Sequence, residues 1–266
     1  MTGAGRTRDA LVADLRALGL PGGATVLVHC SLRRLGRVEG GPATLLAALR
    51  SALGPAGTIV VPAQTANNSL TSPYYRAATA GLTAAERARF QDTMPGFDPV
   101  RTPSYRVGVL AERVRTEPGA LRSGHPQTSF AALGPAAAGI VAGHDLRCHL
   151  GERSPLGALY RAGALILLLG VGMDKCTALH LAEYRRTSVV PIMKYSCFVC
   201  ENGRRRLVQF DAPALDDSDF GALGMDLLGH SWAVTGRVGD AEAHLIPLAP
   251  AVDRAQEWFT ANRRDF

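Results

Sequence analysis

The sequence predicts one α/β domain, residues 1–266, with a parallel β-α-β unit and a late antiparallel annex. A short β-branched run at 24–30 is followed by a helical pattern and a second such run at 58–62, the order of a parallel unit. Later, two strand-like runs flank Asn202-Gly203, a pair typical of tight hairpins. With 266 residues, 47% of them hydrophobic, the chain can bury a substantial core.

Periodicity and capping place the elements of the first half. Apolar residues recur at helical spacing within 7–20, and the glycines after Pro21 end that helix. The next helix, over 42–53, begins at a proline, which suits a first turn. From 63 to 102 the sequence is polar and contains several prolines, with one helical stretch at 83–90. An irregular excursion of this length predicts a segment that faces a substrate.

The second half continues the alternation. Its predicted elements are a helix over 105–116, a short helix over 154–161 capped by Ser154, a buried strand at 164–169, a helix with Thr177 as N-cap, hairpin strands at 189–200 and 204–210, and a closing helix over 251–264.

Composition excludes several classes of protein. The 29 Lys and Arg residues exceed the 23 Asp and Glu residues by six, which favours anionic ligands, but they form no stripe of the kind that binds nucleic acid. The longest apolar run, 164–171, is far shorter than the roughly 20 residues that a bilayer requires. Charged residues interrupt the N-terminus before any apolar signal core. We therefore expect a cytoplasmic protein without nucleic-acid or membrane partners.

The cysteines and histidines do not form a metal signature. Five cysteines, an odd number, favour reduced thiols, and Cys197 and Cys200 lie on opposite faces of a predicted strand. His144 and His149 near Cys148 lack a fourth ligand at a usual spacing. We expect structural cysteines and no metal.

His180 and Glu183 are the first candidates for catalysis. At i and i+3 they share a helix face, directly after the most buried strand, where open α/β sheets place their sites. A carboxylate beside an imidazole can fix its tautomer, which suits proton removal from an amine or hydroxyl. The alternative is a surface network in which Glu183 pairs with Arg186.

For two further segments the sequence leaves a functional and a structural role open. Cys30 could be a nucleophile, but neighbouring strand residues point to opposite faces, so His29 could not activate it and a buried small residue is favoured. The polar run 122–129 contains Arg122, which could meet a phosphate, and several hydroxyls. A purely structural loop explains its composition equally well.

Several ordered blocks resemble one family. They read VHCSLRRLGRVEGGPATLLAAL, GPAGTIVVPAQT, MPGFDPVRTPSYRVGVLAE, RTEPGALRSGHPQTSFAALGPAA, LGERSPLGALY and LILLLGVGMDKCTALHLAEYRR. Together they are similar to the antibiotic N-acetyltransferases typified by aminoglycoside 3-N-acetyltransferase. The resemblance covers nearly the whole chain. It implies a single domain with a central mixed sheet flanked by helices, distinct from the small GNAT acetyltransferase fold.

The resemblance also implies a reaction and a site. The acetyl group of acetyl-CoA would pass directly to a primary amine, most simply the 3-amino group of a 2-deoxystreptamine aminoglycoside, which confers resistance. His180 would be the general base, oriented by Glu183, with no metal. The residues implied to bind the cofactor are His29, Cys30, Ser31, Leu32, Val107, Gly108, Arg122, Ser123 and Ser129. Those implied to bind the acceptor are Gln64, Thr65, Asn67 and His125. The oxyanion donor is left open between a backbone N–H and a hydroxyl.

Two departures from the family pattern keep alternatives open. Cys30 stands where the family usually has a second serine, and the net charge is positive where a polycationic acceptor would favour acidic groups. The alternatives are transfer to a smaller or anionic amine in natural-product biosynthesis, and a non-catalytic CoA-binding protein on the same fold. A homodimer is compatible with each of these.

Overall fold

The computed structural model describes residues 5–186 and 190–263. This part of the chain contains nine strands and ten α-helices. The strands are β1 (Thr25–Cys30), β2 (Thr58–Pro62), β3 (Leu121–Arg122), β4 (Phe130–Leu133), β5 (Leu165–Leu169), β6 (Ile192–Glu201), β7 (Arg204–Pro213), β8 (Val234–Val238) and β9 (Ala241–Pro247). The α-helices are α1 (Arg8–Ala17), α2 (Pro42–Leu53), α3 (Pro73–Thr79), α4 (Ala84–Thr93), α5 (Val109–Arg115), α6 (Ala137–Val141), α7 (Pro155–Arg161), α8 (His180–Tyr184), α9 (Phe220–Leu228) and α10 (Leu248–Asn262). Short 3₁₀ helices occupy Leu32–Leu35, Met173–Lys175 and Thr177–Leu179.

Seven strands form one mixed sheet in the order β3-β4-β2-β1-β5-β9-β8. Strand β1 is parallel to both β2 and β5, whereas the other pairings are antiparallel. The carboxyl ends of the three parallel strands meet at one edge, with Cys30 opposite Leu169. In open α/β sheets this edge is where ligands bind.

Helices cover both faces of the sheet, which is why its central strands are almost entirely apolar. Leu27 and Ile166 point into a core formed with α7 and α10. Val28 and Leu167 point to the other face and pack with α1, α2 and α5. The sheet edge that carries the site therefore rests on a core packed from both sides.

A cap explains the confirmed start of α7. The Ser154 hydroxyl accepts a hydrogen bond from the N–H of Leu156 at the start of α7, as an N-cap does.

Strands β6 and β7 form a separate two-stranded sheet, the predicted annex. Their turn places Asn202 at φ 51° and Gly203 at φ 74°, the left-handed region that a tight hairpin requires.

The excursion, residues 63–102, has more regular structure than its composition predicts. The helical stretch predicted at 83–90 is α4, and Thr83 and Glu86 form a capping box at its start. The preceding helix α3 was not predicted. Its signal is local, because Ser72 caps it and Pro73 occupies its first turn.

Two predictions were wrong in detail, and some strands were not predicted. The helix predicted over 105–116 begins only at Val109, because Arg106 and Gly108 adopt left-handed φ values of 58° and 92°. Thr177 is not an N-cap but part of a 3₁₀ turn, and the extended backbone that precedes this turn lies at Cys176. Strands β8 and β9 join the main sheet although no strand was predicted there.

The remaining boundaries differ by a few residues. The closing helix starts at Leu248, and the predicted ends at Val189 and Arg264 lie outside the described residues. Within the described part of the chain, no helix has the length and apolar character that crossing a membrane demands.

Candidate active site

Two cavities open where the parallel strands end. The strand-end cavity has a volume of about 390 Å³, and its lining includes His29, Cys30, Pro62, Val107, Gly108 and Val171. The excursion cavity, about 410 Å³, lies between the excursion and the annex and is lined by residues that include Thr65, Arg76, Tyr105, His149 and Tyr195. Gln64, His180 and Asp217 line both cavities, which therefore meet at these side chains.

His180 and Glu183 form a hydrogen-bonded dyad at this junction. Two 3₁₀ turns lead from β5 into α8, and His180 is the first residue of α8. Its Nδ1 lies 2.5 Å from Glu183 Oε2. An ionised carboxylate can only accept a hydrogen bond, so beside ionised Glu183 the Nδ1 atom is the donor and a neutral ring has its free lone pair on Nε2. The predicted pair is therefore brought together in the geometry of a base and its orienting group.

Glu183 is buried, not part of an exposed network. Only 2% of its surface is accessible. Its Oε1 accepts hydrogen bonds from Arg263 Nη1 at 2.5 Å and from the backbone N–H of Asp216 at 3.0 Å. Both oxygens of the carboxylate therefore have partners, and these contacts fix its orientation towards the His180 ring.

Phe220, the first residue of α9, fixes one side of the imidazole. Its ring centroid lies 4.8 Å from that of His180, and the side chain is buried. Phe220 also lines the strand-end cavity. The ring of His180 is thus restrained by packing as well as by its hydrogen bond.

The end of β1 contributes neutral groups to the strand-end cavity. Burial lowers the pKa of His29 to about 4 and raises the pKa of the Cys30 thiol to about 12. Both side chains line the cavity. A protonated thiol is a poor nucleophile, which agrees with the interpretation that Cys30 does not start the reaction.

The polar run 122–129 holds the excursion against the sheet. Arg122 donates to Ser129 Oγ at 3.0 Å and to the carbonyl oxygens of Ala63 and Thr102. Burial, followed by repulsion from a neighbouring arginine, lowers the pKa of its guanidinium to about 10. Ser123 and Ser129 are fully buried. None of the three lines either cavity, so the structure does not bring them to the expected cofactor groove.

The other expected contacts divide between the cavities and the interior. Gln64 and Thr65 line the excursion cavity, although Thr65 Oγ1 already donates to the carbonyl of Pro126 at 2.5 Å. His125 is fully buried, and Asn67 lines neither of the two cavities.

Ser31 and Leu32 lie just beyond the strand-end cavity. Ser31 precedes the 3₁₀ helix that follows β1, Leu32 begins it, and both are absent from the lining of the two cavities. Val107 and Gly108, in contrast, reach the strand-end cavity as expected.

Three histidine rings pack together beside the excursion cavity, which is lined by one of them, His149. The ring of His125 lies 4.7 Å from that of His144 and 4.6 Å from that of His149. Burial and mutual repulsion lower the pKa of His149 to about 3, and His125 is shifted in the same direction. Their closeness does not make a metal site: no set of three His, Cys, Asp or Glu side chains in the described ranges could hold an ion.

Sequence reasoning missed the charged groups around the junction. Arg106, Asp174 and Lys175 line the strand-end cavity, Asp217 lines both cavities, and Arg263 contacts Glu183. Lys175 lies between the buried strand and His180 in the last of the family-like blocks, so its position was a usable signal. Arg263 lies 80 residues from Glu183 in the sequence, and no local pattern indicates their contact.

The chain matches known proteins over most of its length. The family model for aminoglycoside 3-N-acetyltransferase matches residues 27–260. Aminoglycoside N(3)-acetyltransferase VIII of Streptomyces fradiae is 36% identical over 266 aligned residues, which cover 95% of this chain and 91% of the relative. The crystal structure of YokD from Bacillus subtilis superposes with a TM-score of 0.90 at 34% identity, covering 98% of this chain and 96% of YokD. The structure of AAC-IIIb with CoASH superposes with a TM-score of 0.84 at 32% identity, covering 97% of each chain. The two cavities and the His-Glu pair agree with these matches, and the chain belongs to the aminoglycoside 3-N-acetyltransferase family.

Proposed function

We propose that the protein transfers an acetyl group from acetyl-CoA to an amine of an aminoglycoside, with His180 as general base. The observation that carries the proposal is the position of His180 where two cavities meet, with Nδ1 bonded to Glu183. A base at such a junction can reach an acceptor in one cavity while the acyl donor occupies the other.

The strand-end cavity suits the acyl donor. Arg106 and Lys175 are its cationic groups for phosphates, although Lys175 also pairs with Asp174 at 3.0 Å on the same wall. Val107, Val171 and Phe220 supply apolar surface for an extended arm. A Cβ at Gly108 would lie 3.0 Å from the carbonyl oxygen of Cys30, so glycine is what lets this loop approach the end of β1 so closely. Acetyl-CoA supplies the thioester that is the acetyl source. The AAC-IIIb relative was crystallised with CoASH, which supports the assignment.

His180 and Glu183 manage the proton of the acceptor. An amine attacks only through a free lone pair, so the base must take a proton as the new N–C bond forms. Nε2 of His180 accepts that proton, and the ionised Glu183 stabilises the charged ring through Nδ1–H. The C–S bond breaks, and the same proton is available for the departing thiolate, which leaves as the free thiol.

The excursion cavity suits a polar, ring-shaped acceptor. Tyr105 and Tyr195 offer aromatic surface, while Gln64, Gln127 and Thr128 offer hydrogen-bonding groups. Asp217, on the wall shared with the strand-end cavity, can hold an ammonium group close to His180. We assign the 3-amino group of a 2-deoxystreptamine ring as the acceptor on the strength of the family.

One observation favours a second candidate acceptor. Among the described residues that line the excursion cavity, Asp217 is the single carboxylate, and it is opposed by Arg76. A polycation gains little from such a balance, whereas an amine that also carries an anionic group could use both charges. Acetylation of a smaller or anionic amine is therefore the alternative.

Release of CoA thiol in the presence of acetyl-CoA separates the two candidates. A panel of 2-deoxystreptamine aminoglycosides is compared with small amines that carry a carboxylate or phosphate, and product NMR locates the acetyl group. The proposal expects turnover with aminoglycosides and acetylation at N3. Turnover confined to the small amines would replace it with the alternative, and binding of acetyl-CoA without turnover of any amine would leave a CoA-binding protein.

A further inference from the structure

Arg263 contacts the dyad from the far end of the chain. It directly follows α10, and its Nη1 donates to Glu183 Oε1 at 2.5 Å. The same guanidinium donates through Nε to Asp219 Oδ2 at 2.7 Å and through Nη2 to the backbone carbonyl of Asp216 at 2.7 Å. Its planar donors thus hold the carboxylate that orients His180 and the segment that leads into α9.

An aromatic path joins the same two ends. The guanidinium carbon of Arg263 lies 3.8 Å from the ring centroid of Phe259. Phe259 is buried and stacks on Phe220 at 6.0 Å, and Phe220 contacts the ring of His180 at 4.8 Å. Arg263 therefore reaches His180 by two routes, one through a carboxylate and one through packed rings.

The charges in this cluster are largely buried, and Arg263 pairs with two carboxylates, those of Glu183 and Asp219. The side chain of Arg263 is 13% exposed and that of Glu183 is 3% exposed. Burial opposes the charge of Arg263, but hydrogen bonds to Asp219 and Glu183 outweigh it and raise the pKa of Arg263. Loss of one partner from such a cluster leaves a buried charge without compensation, which changes the position of the remaining groups.

We propose that Arg263 is a positioning residue for acetyl transfer: it holds the Glu183 carboxylate, and through it the His180 ring, in the orientation that proton removal requires. The inference rests on the proposed function. It adds to that function a group that lies outside both cavities and 80 residues from the dyad carboxylate.

The same helix provides a matched control. Arg254 of α10 donates to both oxygens of Asp226 on α9, each at 2.8 Å. This is the same type of bridge between α10 and the α9 region, but it has no contact with Glu183. A purely structural role for such bridges predicts similar losses from either arginine.

Steady-state kinetics of Arg263→Ala, Arg263→Lys and Arg254→Ala test the proposal, with acetyl-CoA and an aminoglycoside as substrates. For Arg263→Ala we expect kcat to fall about 10- to 100-fold while the KM for acetyl-CoA stays within about twofold, because the orientation of the base is lost. Asp217 lies in the segment that Arg263 holds, so the KM for acetyl-CoA is the criterion. Arg263→Lys keeps one donor for Glu183 and should recover part of kcat. Arg254→Ala should keep kcat within about twofold, even if its thermal midpoint falls as much as that of Arg263→Ala.

Parental kcat in Arg263→Ala, or an equal loss in Arg254→Ala, would overturn the inference. If Arg263→Ala does not fold, a fully active Arg263→Gln overturns it and an impaired one with an unchanged KM for acetyl-CoA supports it. His180→Ala is measured in parallel: its inactivity beside a fully active Arg263 variant refutes only the positioning role. An unmodified protein that acetylates no aminoglycoside refutes the proposed function and this inference together.

Discussion

His180 and Glu183 have unequal roles in the proposed proton transfer. In that proposal His180 contacts the acceptor, whereas Glu183, hydrogen-bonded to Nδ1, acts through the ring that it orients. We expect His180→Ala to lower kcat by about 10²- to 10⁴-fold, the usual contribution of a general base. Glu183→Gln keeps the size of the side chain but loses its charge, so kcat should fall by a smaller factor with little change in KM. Thiol-release kinetics check both values, and full activity in either variant would contradict the dyad.

Cys30 provides a second test at the residue scale, because its thiol lies in the strand-end cavity. Burial raises its pKa to about 12, so the thiol is protonated near neutral pH. We therefore expect direct transfer without an acetylated enzyme. Intact-protein mass spectrometry after incubation with acetyl-CoA alone should show the unmodified mass. Acetylation at Cys30 that an added acceptor then removes would instead establish a two-step route.

At the scale of elements, the loop from Tyr105 to the start of α5 shapes the strand-end cavity. Gly108 has φ 92°, and an added Cβ would lie 3.0 Å from the carbonyl oxygen of Cys30. Gly108→Ala should therefore destabilise the fold by about 1–3 kcal/mol and also raise the KM for acetyl-CoA, since the loop must move.

Gly119 is the matched control for this prediction. It has φ 84°, but an added Cβ would meet nothing within 4 Å. Gly119→Ala should lower stability in urea unfolding without changing the KM for acetyl-CoA. An equal rise of KM in both variants would show that backbone strain, not the close approach to β1, explains the effect.

Elements whose signals are local could be predicted from the sequence, and those held by distant contacts could not. The i, i+3 pair of α8 and the Thr83 capping box depend on a few adjacent residues, and both are present. The function of the run at 122–129 depended on burial, which composition does not reveal. The contact of Arg263 with Glu183 exists only because α10 packs beside α8 and α9. Strand β8 was missed because its residues are largely exposed, so it lacks an apolar run.

At the scale of the whole molecule, buried histidines make the free energy of unfolding depend on pH. Burial lowers the pKa of His29 and His144 to about 4 and that of His149 to about 3, and it also lowers the pKa values of His125 and His244. In the unfolded chain each would titrate near 6.5. Below that value the unfolded state binds protons that the folded state does not, so acid favours unfolding.

The free energy of unfolding should therefore fall as the pH is lowered from about 6.5 towards 5. Each buried histidine contributes up to about 1.4 kcal/mol per pH unit in this window, which lies above the range where most carboxylates titrate. Urea unfolding at several pH values measures the slope. His144→Gln should reduce the slope by up to one proton, whatever it does to stability at pH 7.5, because one neutral ring is removed. A slope that is flat between pH 6.5 and 5, or one that is unchanged in His144→Gln, would contradict this prediction. Either result would mean that these rings are protonated in the folded protein, so the packing around them would have to accommodate their charge.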